Sequence, residues 1–370
     1  MSRFREIAYN ATSQNVIVGA GLVWDDVYAA LEPHNANVVG GRESGVGVAG
    51  LTLGYSWLSN QHGLTLDTVQ AFELVKPDGV VVTVTQTSDP ELFFGLKGGM
   101  NNFVKPKAYF FCKVWGGLLT YTSAQVSAIS AAIAAFSASS TDPKAGLTMA
   151  YNFLGELEIR VLLFYDGPTP PAGIFDKFLA IPFYSKDIST RDFLSLVKAS
   201  PPFTSSALQR VLFNTVSLAQ YTPAILKVIV NETIVCIISI TSDDWVDACV
   251  TVLGFAALAR RIIALDLLRC GAIPALFIRA RGAVGLSSVT WIRESYDNDF
   301  YAAARESAAH IRACAIAEGQ DIAGAAVYPG YALFGTPISD LYGANLPALQ
   351  ALKAKVDPDN VMGLAGGFKI

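Results

Sequence analysis

Charged residues are scarce in this chain: Asp, Glu, Lys and Arg make up 16% of its 370 residues, against roughly 25% in a typical globular domain. The mean hydropathy of +0.39 is correspondingly high. The longest stretch without a charged residue is 114–141, and in its second half the large apolar side chains are Val126, Ile129, Ile133 and Phe136. Because these four recur at helical spacing, they form one stripe on a helix. A membrane span needs apolar residues all round, so we predict no transmembrane segment.

Histidine and paired cysteines are scarce as well. The chain has three histidines and five cysteines and no CxxC motif, which argues against a zinc site built from Cys and His. The net charge of −4 provides no basic surface for nucleic acid. The opening residues, MSRFREIAYN, lack the apolar core of a secretory signal peptide. We therefore expect no metal, no nucleic acid and no membrane as partners.

Helix and strand patterns alternate irregularly along the chain, which indicates an α+β fold. The segment NVIV, followed by glycines and Asp25, predicts a strand, a turn and a helix that ends near Leu31. The segment DTVQAFELVKPDGVVVTVT predicts a β-hairpin that turns at residues 76–79, and DPELFFGLKGG predicts a short helix. Further along, LEIRVLLFY and ILKVIV are typical of strands, and NLPALQALKAKV is typical of an amphipathic helix.

The apolar tract 246–290 does not have the pattern of a packed sheet. Charged residues interrupt it irregularly, and it shows no clean period of 2 or 3.6 residues. We therefore expect it to supply no regular strands. The interrupting residues are Arg260, Arg261, Asp266, Arg269, Arg279 and Arg281.

Residues 45–50, GVGVAG, match the GxGxxG pattern of a dinucleotide-binding turn. That turn requires a helix of several turns after the third glycine and an acidic residue that ends a second parallel strand. Here Gly54 and Gly63 interrupt the following residues, and Asp67 precedes the predicted hairpin. The sequence therefore argues against a Rossmann unit. Two interpretations remain open: the glycines serve only turns, or they let backbone N–H groups approach a diphosphate.

Three longer blocks carry a family resemblance. They are VVGGRESGVGVAGLTLGYSWLSNQHGLTLDTVQAFELVKPDGVVVTVT, DPELFFGLKGGMNNF and YGANLPALQALKAKVDPDNVMGLAGGF. Together they closely resemble the FAD-linked oxidases of the vanillyl-alcohol-oxidase and berberine-bridge type, the fungal members above all. The resemblance implies an α+β fold in which a PCMH-type FAD-binding domain of two subdomains holds an inserted substrate domain with an antiparallel sheet.

The resemblance also implies a domain organisation. Residues 1–115 correspond to the second subdomain of the FAD-binding domain, 116–320 to the substrate domain, and 321–370 to the segment that completes the FAD-binding domain. The family's first subdomain, with the loop that carries its flavin-linking His, has no counterpart before MSRFREI, so we expect a partial domain. Glu43 stands at the second linkage position, a Cys in bicovalent members. Any FAD is therefore expected to bind non-covalently.

In the family, a hydride passes from a substrate C–H to flavin N5, and dioxygen reoxidises the flavin. For this chain the resemblance implies a carbohydrate or small alcohol as the small-molecule substrate, dioxygen as acceptor, and secretion. Tyr331, in Tyr-Pro-Gly-Tyr where the family has Y-x-N-Y, is the implied general base, and the alternative is an ordinary packed aromatic residue. The implied FAD-binding residues are Gly41, Ser44, Gly45, Val46, Gly47, Gly50, Leu51, Gly54, Tyr55, Gly63, Asp67, Gly98, Gly99, Asn102, Phe103, Val104, Tyr328 and Asn345.

A second function class stays open because of the departures from the family pattern. Besides the partial domain and Glu43, Gly330 stands where an Asn is expected. The alternative is a truncated, non-catalytic remnant of the family that binds FAD weakly or not at all.

Overall fold

The computed structural model of the chain describes residues 4–51, 54–76, 79–98, 107–108, 113–154, 156–200, 210–238, 248–256, 283–291, 293–325, 327–364 and 368–370. Four of the predicted FAD-binding residues lie outside these ranges, namely Gly99, Asn102, Phe103 and Val104.

The first elements are the predicted strand, turn and helix. Strand β1 (Ile7–Asn10) pairs antiparallel with β2 (Asn15–Val18), and helix α1 (Trp24–Leu31) follows. The helix buries residues at helical spacing against the strands, since Trp24, Val27, Tyr28 and Leu31 are all enclosed. Burial of each such side chain stabilises the fold by roughly 1.5–3 kcal/mol. A 3-10 turn over Glu32–His34 ends the helical segment.

The glycine loop leads into short helices rather than a long one. Helix α2 (Val48–Leu51) and helix α3 (Ser59–His62) each have a single turn, so the long helix that a Rossmann unit requires does not begin at Gly50. Among the described residues no helix is both long and apolar enough to cross a membrane.

The predicted hairpin is confirmed by strands β3 (Ala71–Val75) and β4 (Val81–Thr85), which pair antiparallel around a turn in which Gly79 has φ +80°. Helix α4 (Pro90–Gly98) follows and packs on the hairpin, with the rings of Phe72 and Phe93 in edge contact. Strand β5 (Lys107–Ala108) then pairs with β2 to complete a three-stranded sheet.

The middle of the chain forms an antiparallel sheet of seven strands. In chain order its strands and flanking helices are β6 (Val114–Thr122), α5 (Val126–Ser139), β7 (Ala145–Leu154), β8 (Glu156–Tyr165), α6 (Asp176–Ala180), β9 (Ser185–Arg191), α7 (Phe193–Ala199), β10 (Arg210–Leu218), α8 (Pro223–Ile238), β11 (Ala248–Ala256), β12 (Ala283–Trp291) and α9 (Asp297–Ala317). The spatial order is β10-β12-β11-β7-β8-β6-β9. The predicted antiparallel sheet is thus confirmed. Helix α5 buries Ile129, Ile133 and Phe136, as its stripe predicts.

Two predictions about this region are wrong. The segment ILKVIV belongs to the 16-residue helix α8, in which Ile225, Leu226 and Ile229 are buried against α5 and α9. A short, mostly apolar run such as this one fits a strand or a buried helix equally well, and the length of the whole element decides between them.

The tract 246–290 does supply strands. β11 and β12 pair with each other from Ala248 opposite Trp291 onward, and both belong to the large sheet. All six interrupting charges fall between the two strands, in 257–282, outside the described residues. The two strands are themselves uncharged runs of nine residues. A pattern taken over the whole tract does not show them, because the charged residues between them interrupt it.

The C-terminal helices pack on the N-terminal third of the chain. Helix α10 (Ile338–Tyr342) and helix α11 (Leu346–Val356) bury Leu341, Leu349 and Leu352 against α4, the hairpin and the segment around Tyr55. The predicted domain boundaries stay a prediction.

Candidate functional site

The glycine loop, residues 40–50, is fixed against the turn before α1. Val23 and Gly47 form an antiparallel bridge, the Trp24 N–H donates to the Val46 carbonyl at 3.0 Å, and the Val48 N–H donates to the Leu22 carbonyl at 2.9 Å. The loop is therefore held by backbone hydrogen bonds on both sides of Gly47.

The first two glycines of the loop serve packing. A Cβ added at Gly40 would collide with the Trp24 ring, and one at Gly41 would lie 2.6 Å from Trp24 Cδ1. The Tyr28 hydroxyl donates to the Gly41 carbonyl at 2.7 Å. The fold itself therefore requires glycine at these two positions, because a side chain would displace the Trp24 ring. That Gly41 binds FAD stays a prediction.

Ser44 and Gly45 are engaged by a carboxylate. The Ser44 hydroxyl donates to Asp25 Oδ1 at 2.6 Å, and the Gly45 N–H donates to Asp25 Oδ2 at 2.7 Å. Gly45 has φ +80°, a conformation that favours glycine. Because both donors face a negative charge, this part of the loop does not suit a phosphate group.

Gly47 and Gly50 differ from the other glycines of the loop in that neither packing nor backbone conformation requires them. Both are exposed, neither has a positive φ, and a Cβ added at either would meet no heavy atom within 4 Å. The fold therefore does not require glycine at these positions, and a flat ligand group could approach the bare backbone closely. The residues present fit the flavin end of FAD better than its diphosphate.

Next to this loop lies a tyrosine cluster, which we define as Tyr55, Tyr328 and Tyr331 around Arg42. Arg42 is only 7% exposed, and its Nη2 donates to the Tyr331 hydroxyl at 2.8 Å. Its guanidinium carbon lies 5.9 Å from the centroid of the Tyr55 ring. The rings of Tyr55 and Tyr328 are 5.2 Å apart, and those of Tyr328 and Tyr331 are 4.8 Å apart and nearly perpendicular.

Gly330 makes room for this arrangement. A Cβ at residue 330 would lie 2.7 Å from Cζ of Tyr328. The glycine that departs from the family pattern therefore allows the Tyr328 ring to lie against its backbone.

Tyr331 lies between the glycine loop and the large sheet. Its hydroxyl contacts Arg42, and its ring centroid is 6.2 Å from that of Phe213 on the edge strand β10. Tyr331 is half-buried, whereas Tyr55 and Tyr328 are buried. Of the three tyrosines it is thus the most exposed to solvent.

Burial sets the protonation of the surrounding groups. Burial raises the pKa of Tyr55 and of Tyr328 far above the ordinary value, although Arg42 acts in the opposite direction on both. Burial also raises the pKa of the Glu43 carboxyl, against smaller opposing effects of a Ser200 hydrogen bond and of Arg42. Low solvation therefore disfavours the charged forms of all three groups.

The remaining predicted residues have mainly local roles. Asp67 Oδ2 accepts from the Leu64 N–H at 2.8 Å, and a Cβ at Gly63 would lie 2.6 Å from that oxygen. The Gly54 carbonyl accepts from the Thr65 N–H at 3.1 Å. Leu51 ends α2, Gly98 ends α4, and Asn345 precedes α11. That these residues bind FAD stays a prediction.

Two cavities lined by the described residues share no lining residue with the tyrosine cluster. One of about 40 Å³ lies beside Tyr28 and Phe193, and an open one of about 360 Å³ lies beside Asp187 and Arg191. The glycine loop and the tyrosine cluster therefore define the candidate site.

Sequence reasoning missed Arg42 and the role of Asp25. An arginine between a glycine pair and an acidic residue is a weak signal by itself, because most arginines are exposed. Its partner Tyr331 is 289 residues away, so only the folded chain joins them.

Comparisons with known proteins agree with the resemblance. Residues 1–85 match a family model described as FAD binding domain. An uncharacterized FAD-linked oxidoreductase of Arthroderma benhamiae is 33% identical over 207 residues, which cover 54% of this chain and 41% of that protein. The FAD-dependent monooxygenase drtC of Aspergillus calidoustus is 28% identical over an alignment of 389 residues, covering 100% of this chain and 72% of that protein.

Solved structures share the fold. The carbohydrate oxidase from Microdochium nivale superposes with a TM-score of 0.69 at 18% identity, over 97% of this chain and 79% of that chain. This chain thus spans less than half of the Arthroderma relative and about three quarters of the other two proteins. Residues 1–85 thus match an FAD binding domain, FAD is the cofactor, the curated relatives are FAD-linked oxidoreductases and monooxygenases, and the chain has the fold of the vanillyl-alcohol-oxidase and berberine-bridge type.

Proposed function

We propose that this chain is an FAD-dependent oxidoreductase that oxidises a carbohydrate or small alcohol and passes the electrons to dioxygen. The observation that carries the proposal is the 2.8 Å hydrogen bond between Arg42 of the glycine loop and the Tyr331 hydroxyl. It joins the predicted base to the predicted flavin loop although the two are far apart in sequence.

Residues of the loop hold the cofactor in this proposal. Gly47 and Gly50 present open backbone, and Arg42 of the same loop supplies a positive charge at the tyrosine cluster. Glu43 offers no thiolate for a covalent bond, so binding is non-covalent. When bound, FAD supplies the redox chemistry by accepting a hydride from the substrate carbon.

Tyr331 takes the substrate proton. A half-buried phenol between the loop and β10 is accessible from solvent and is held in place by its ring contacts with Tyr328 and Phe213. The hydroxyl proton of the alcohol moves to the Oη of Tyr331, whose own proton has first passed to solvent, as the hydride leaves the carbon that bears the hydroxyl. Overall, an alcohol and dioxygen give a carbonyl compound and hydrogen peroxide, which balances atoms and electrons.

The substrate class rests on two kinds of support. One solved structure with the same fold is of a carbohydrate oxidase, and the aromatic side chains of Tyr331 and Phe213 offer apolar surface to a ring. The curated relative drtC is named a monooxygenase, so oxygen transfer to the product is the competing reaction.

The test is turnover of the recombinant chain with added FAD on monosaccharides, oligosaccharides and primary alcohols, with peroxide and product both measured. We expect one peroxide per carbonyl formed. Tyr331→Phe should lower kcat/KM by about 10²–10⁴, the usual contribution of a general base. Tyr184→Phe, at a tyrosine that is 79% exposed, is the matched control and should leave turnover unchanged.

Three results would contradict the proposal. Full activity of Tyr331→Phe would assign the base elsewhere. Labelled oxygen in the product with little peroxide would indicate a monooxygenase. Bound FAD without turnover of any carbohydrate or alcohol would exclude this substrate class.

A further inference from the structure

Two Asn-X-Thr sequences occur in the chain, NAT at residues 10–12 and NET at residues 231–233. In the lumen of the secretory pathway, such a sequence is the acceptor for an N-linked glycan when it lies at the surface. The letters alone do not distinguish the two sequences, because each has the required asparagine and threonine. The structure places them in very different surroundings.

The first sequence lies in the turn between strands β1 and β2. Asn10 ends β1, and residues 10–14 are all exposed. The side-chain Oδ1 of Asn10 accepts the backbone N–H groups of Thr12 and Ser13, both at 3.0 Å. These two hydrogen bonds hold the segment as an Asx turn at the exposed end of the hairpin.

The atoms that N-glycosylation requires are accessible in this turn. Within the described part of the chain, neither Nδ2 of Asn10 nor the hydroxyl of Thr12 takes part in a hydrogen bond. A glycan bonded to Nδ2 leaves Oδ1 unchanged, so the turn keeps both of its hydrogen bonds. A glycosyltransferase can therefore reach this sequence after folding as well as before it.

The second sequence lies inside helix α8. Thr233 is fully buried, and its hydroxyl donates to the Ile229 carbonyl at 2.8 Å. Glu232 Oε1 lies 2.6 Å from Nδ1 of His310 on α9. Because the threonine hydroxyl is enclosed, a transferase reaches this sequence only while α8 is unwound. Modification of Asn231 thus competes with folding, whereas modification of Asn10 does not.

We propose that Asn10 is an N-glycosylation site that is used when the chain enters the secretory pathway, and that Asn231 stays unmodified. The co-reactant is a lipid-linked oligosaccharide diphosphate. Nδ2 of Asn10 forms a bond to C1 of the first sugar, the bond from C1 to the diphosphate oxygen breaks, and the lipid diphosphate leaves with that electron pair. One amide proton passes to a base of the transferase. The step involves no oxidation, so the inference is independent of the function proposed above.

The test is expression of the full chain in a yeast host behind a cleavable secretion leader, with a C-terminal tag that carries an acceptor sequence of known use. The glycan on the tag reports entry into the secretory pathway, whether or not the chain is released from the cell. Removal of the glycans by an amidase in heavy-oxygen water converts each modified asparagine to labelled aspartate, which mass spectrometry detects. We expect the label at residue 10 in most molecules and little label at residue 231.

Variants of the first sequence separate the roles of its two side chains. Asn10→Gln removes the acceptor nitrogen, and Thr12→Ala removes the hydroxyl, so each should abolish the label at residue 10 while the tag stays glycosylated. Thr12→Ser keeps a hydroxyl, is the matched control and should retain the label. An unlabelled Asn10 in chains whose tag is glycosylated overturns the inference, as does label at Asn231 equal to that at Asn10.

Flavin retention and turnover are measured on the same variants. Asn10 lies outside the glycine loop and the tyrosine cluster, so Asn10→Gln should match the unaltered chain in both. Turnover without label at Asn10 overturns this inference and leaves the proposed function standing. Label at Asn10 without retained flavin or turnover does the reverse.

Discussion

Gly40 and Gly47 lie in one loop but are glycine for different physical reasons. The Trp24 ring fills the space beside Gly40, whereas the space beside Gly47 is open. A pattern of glycines in the sequence does not distinguish these cases, because both produce the same letters. Only the packing around each position separates a glycine that the fold requires from one that a ligand requires.

This difference predicts opposite effects of two alanine substitutions. Gly40→Ala should lower the free energy of unfolding by about 1–3 kcal/mol, since it overpacks the Trp24 contact. Gly47→Ala should change stability by less than about 0.5 kcal/mol while weakening FAD binding at least about tenfold, which is close to 1.4 kcal/mol. Urea unfolding and FAD titration of both variants test this. Wild-type FAD affinity in Gly47→Ala would remove that glycine from the site.

Glu43 predicts a pH dependence of stability. Below the unfolded pKa of about 4.3 the carboxyl is protonated in both states and adds nothing. Burial raises its folded pKa, so the folded chain holds the proton more tightly, and stability falls as the pH rises from the unfolded pKa through the folded pKa.

Glu43→Gln keeps the shape of the protonated carboxyl and lacks this loss. Relative to the unaltered chain without FAD, the variant should gain unfolding free energy at pH 7 that it does not gain at pH 4. Glu156→Gln, at an exposed position of β8, corrects for the change in net charge. Equal differences at both pH values would contradict burial of Glu43.

Some residues of the tyrosine cluster could be predicted from the sequence and others could not. Tyr331 and the glycine loop were predicted from the resemblance of local motifs. Arg42 was not, because its role depends on a partner 289 residues away and on burial that no local pattern reports. Asp25 was predicted only as a helix-end charge, while its carboxylate in fact binds Ser44 and Gly45 of the loop.

At the scale of elements, prediction succeeded where the flanking residues carry their own signals. The hairpin β3–β4 has Pro and Gly in its turn, and α1 has acidic residues in its first turn. Prediction failed for α8, because its short apolar run fits the period of a strand as well as that of a helix. It also failed for β11 and β12, because the charged residues between them interrupt the pattern of the tract that contains both strands. Long-range packing decides such cases, and a sequence window does not contain it.

Two ion pairs of helix α11 differ in burial, so we expect them to contribute differently to the free energy of unfolding. Lys353 binds Asp357 at positions that are 7% and 4% exposed and also donates to Asn360 at 2.9 Å, whereas Lys355 binds Glu91 with both side chains largely exposed. Asp357→Ala leaves a buried ammonium group without its carboxylate and should cost about 3–5 kcal/mol. Glu91→Ala, the matched control, should cost about 0–1 kcal/mol. Similar urea midpoints for the two variants would contradict the burial of the first pair.

At the scale of the whole molecule, the fold class follows from local sequence patterns, whereas the strand order depends on long-range pairing. The α+β class and an antiparallel sheet were predictable from the resemblance. The strand order β10-β12-β11-β7-β8-β6-β9 was not, since it pairs β11 with β7, about a hundred residues away in the sequence. The position of Tyr331 depends on that order, because β10 forms the edge that carries Phe213.

In the function proposed above, the glycine loop and the tyrosine cluster hold FAD without a covalent bond. The most direct measurement is the visible absorption spectrum of the purified chain, recorded before FAD is added and again after FAD addition and desalting. We expect a flavin band that survives desalting and is released by denaturation. A spectrum without a retained band would contradict it, and would favour a remnant of the family that keeps the fold without the cofactor.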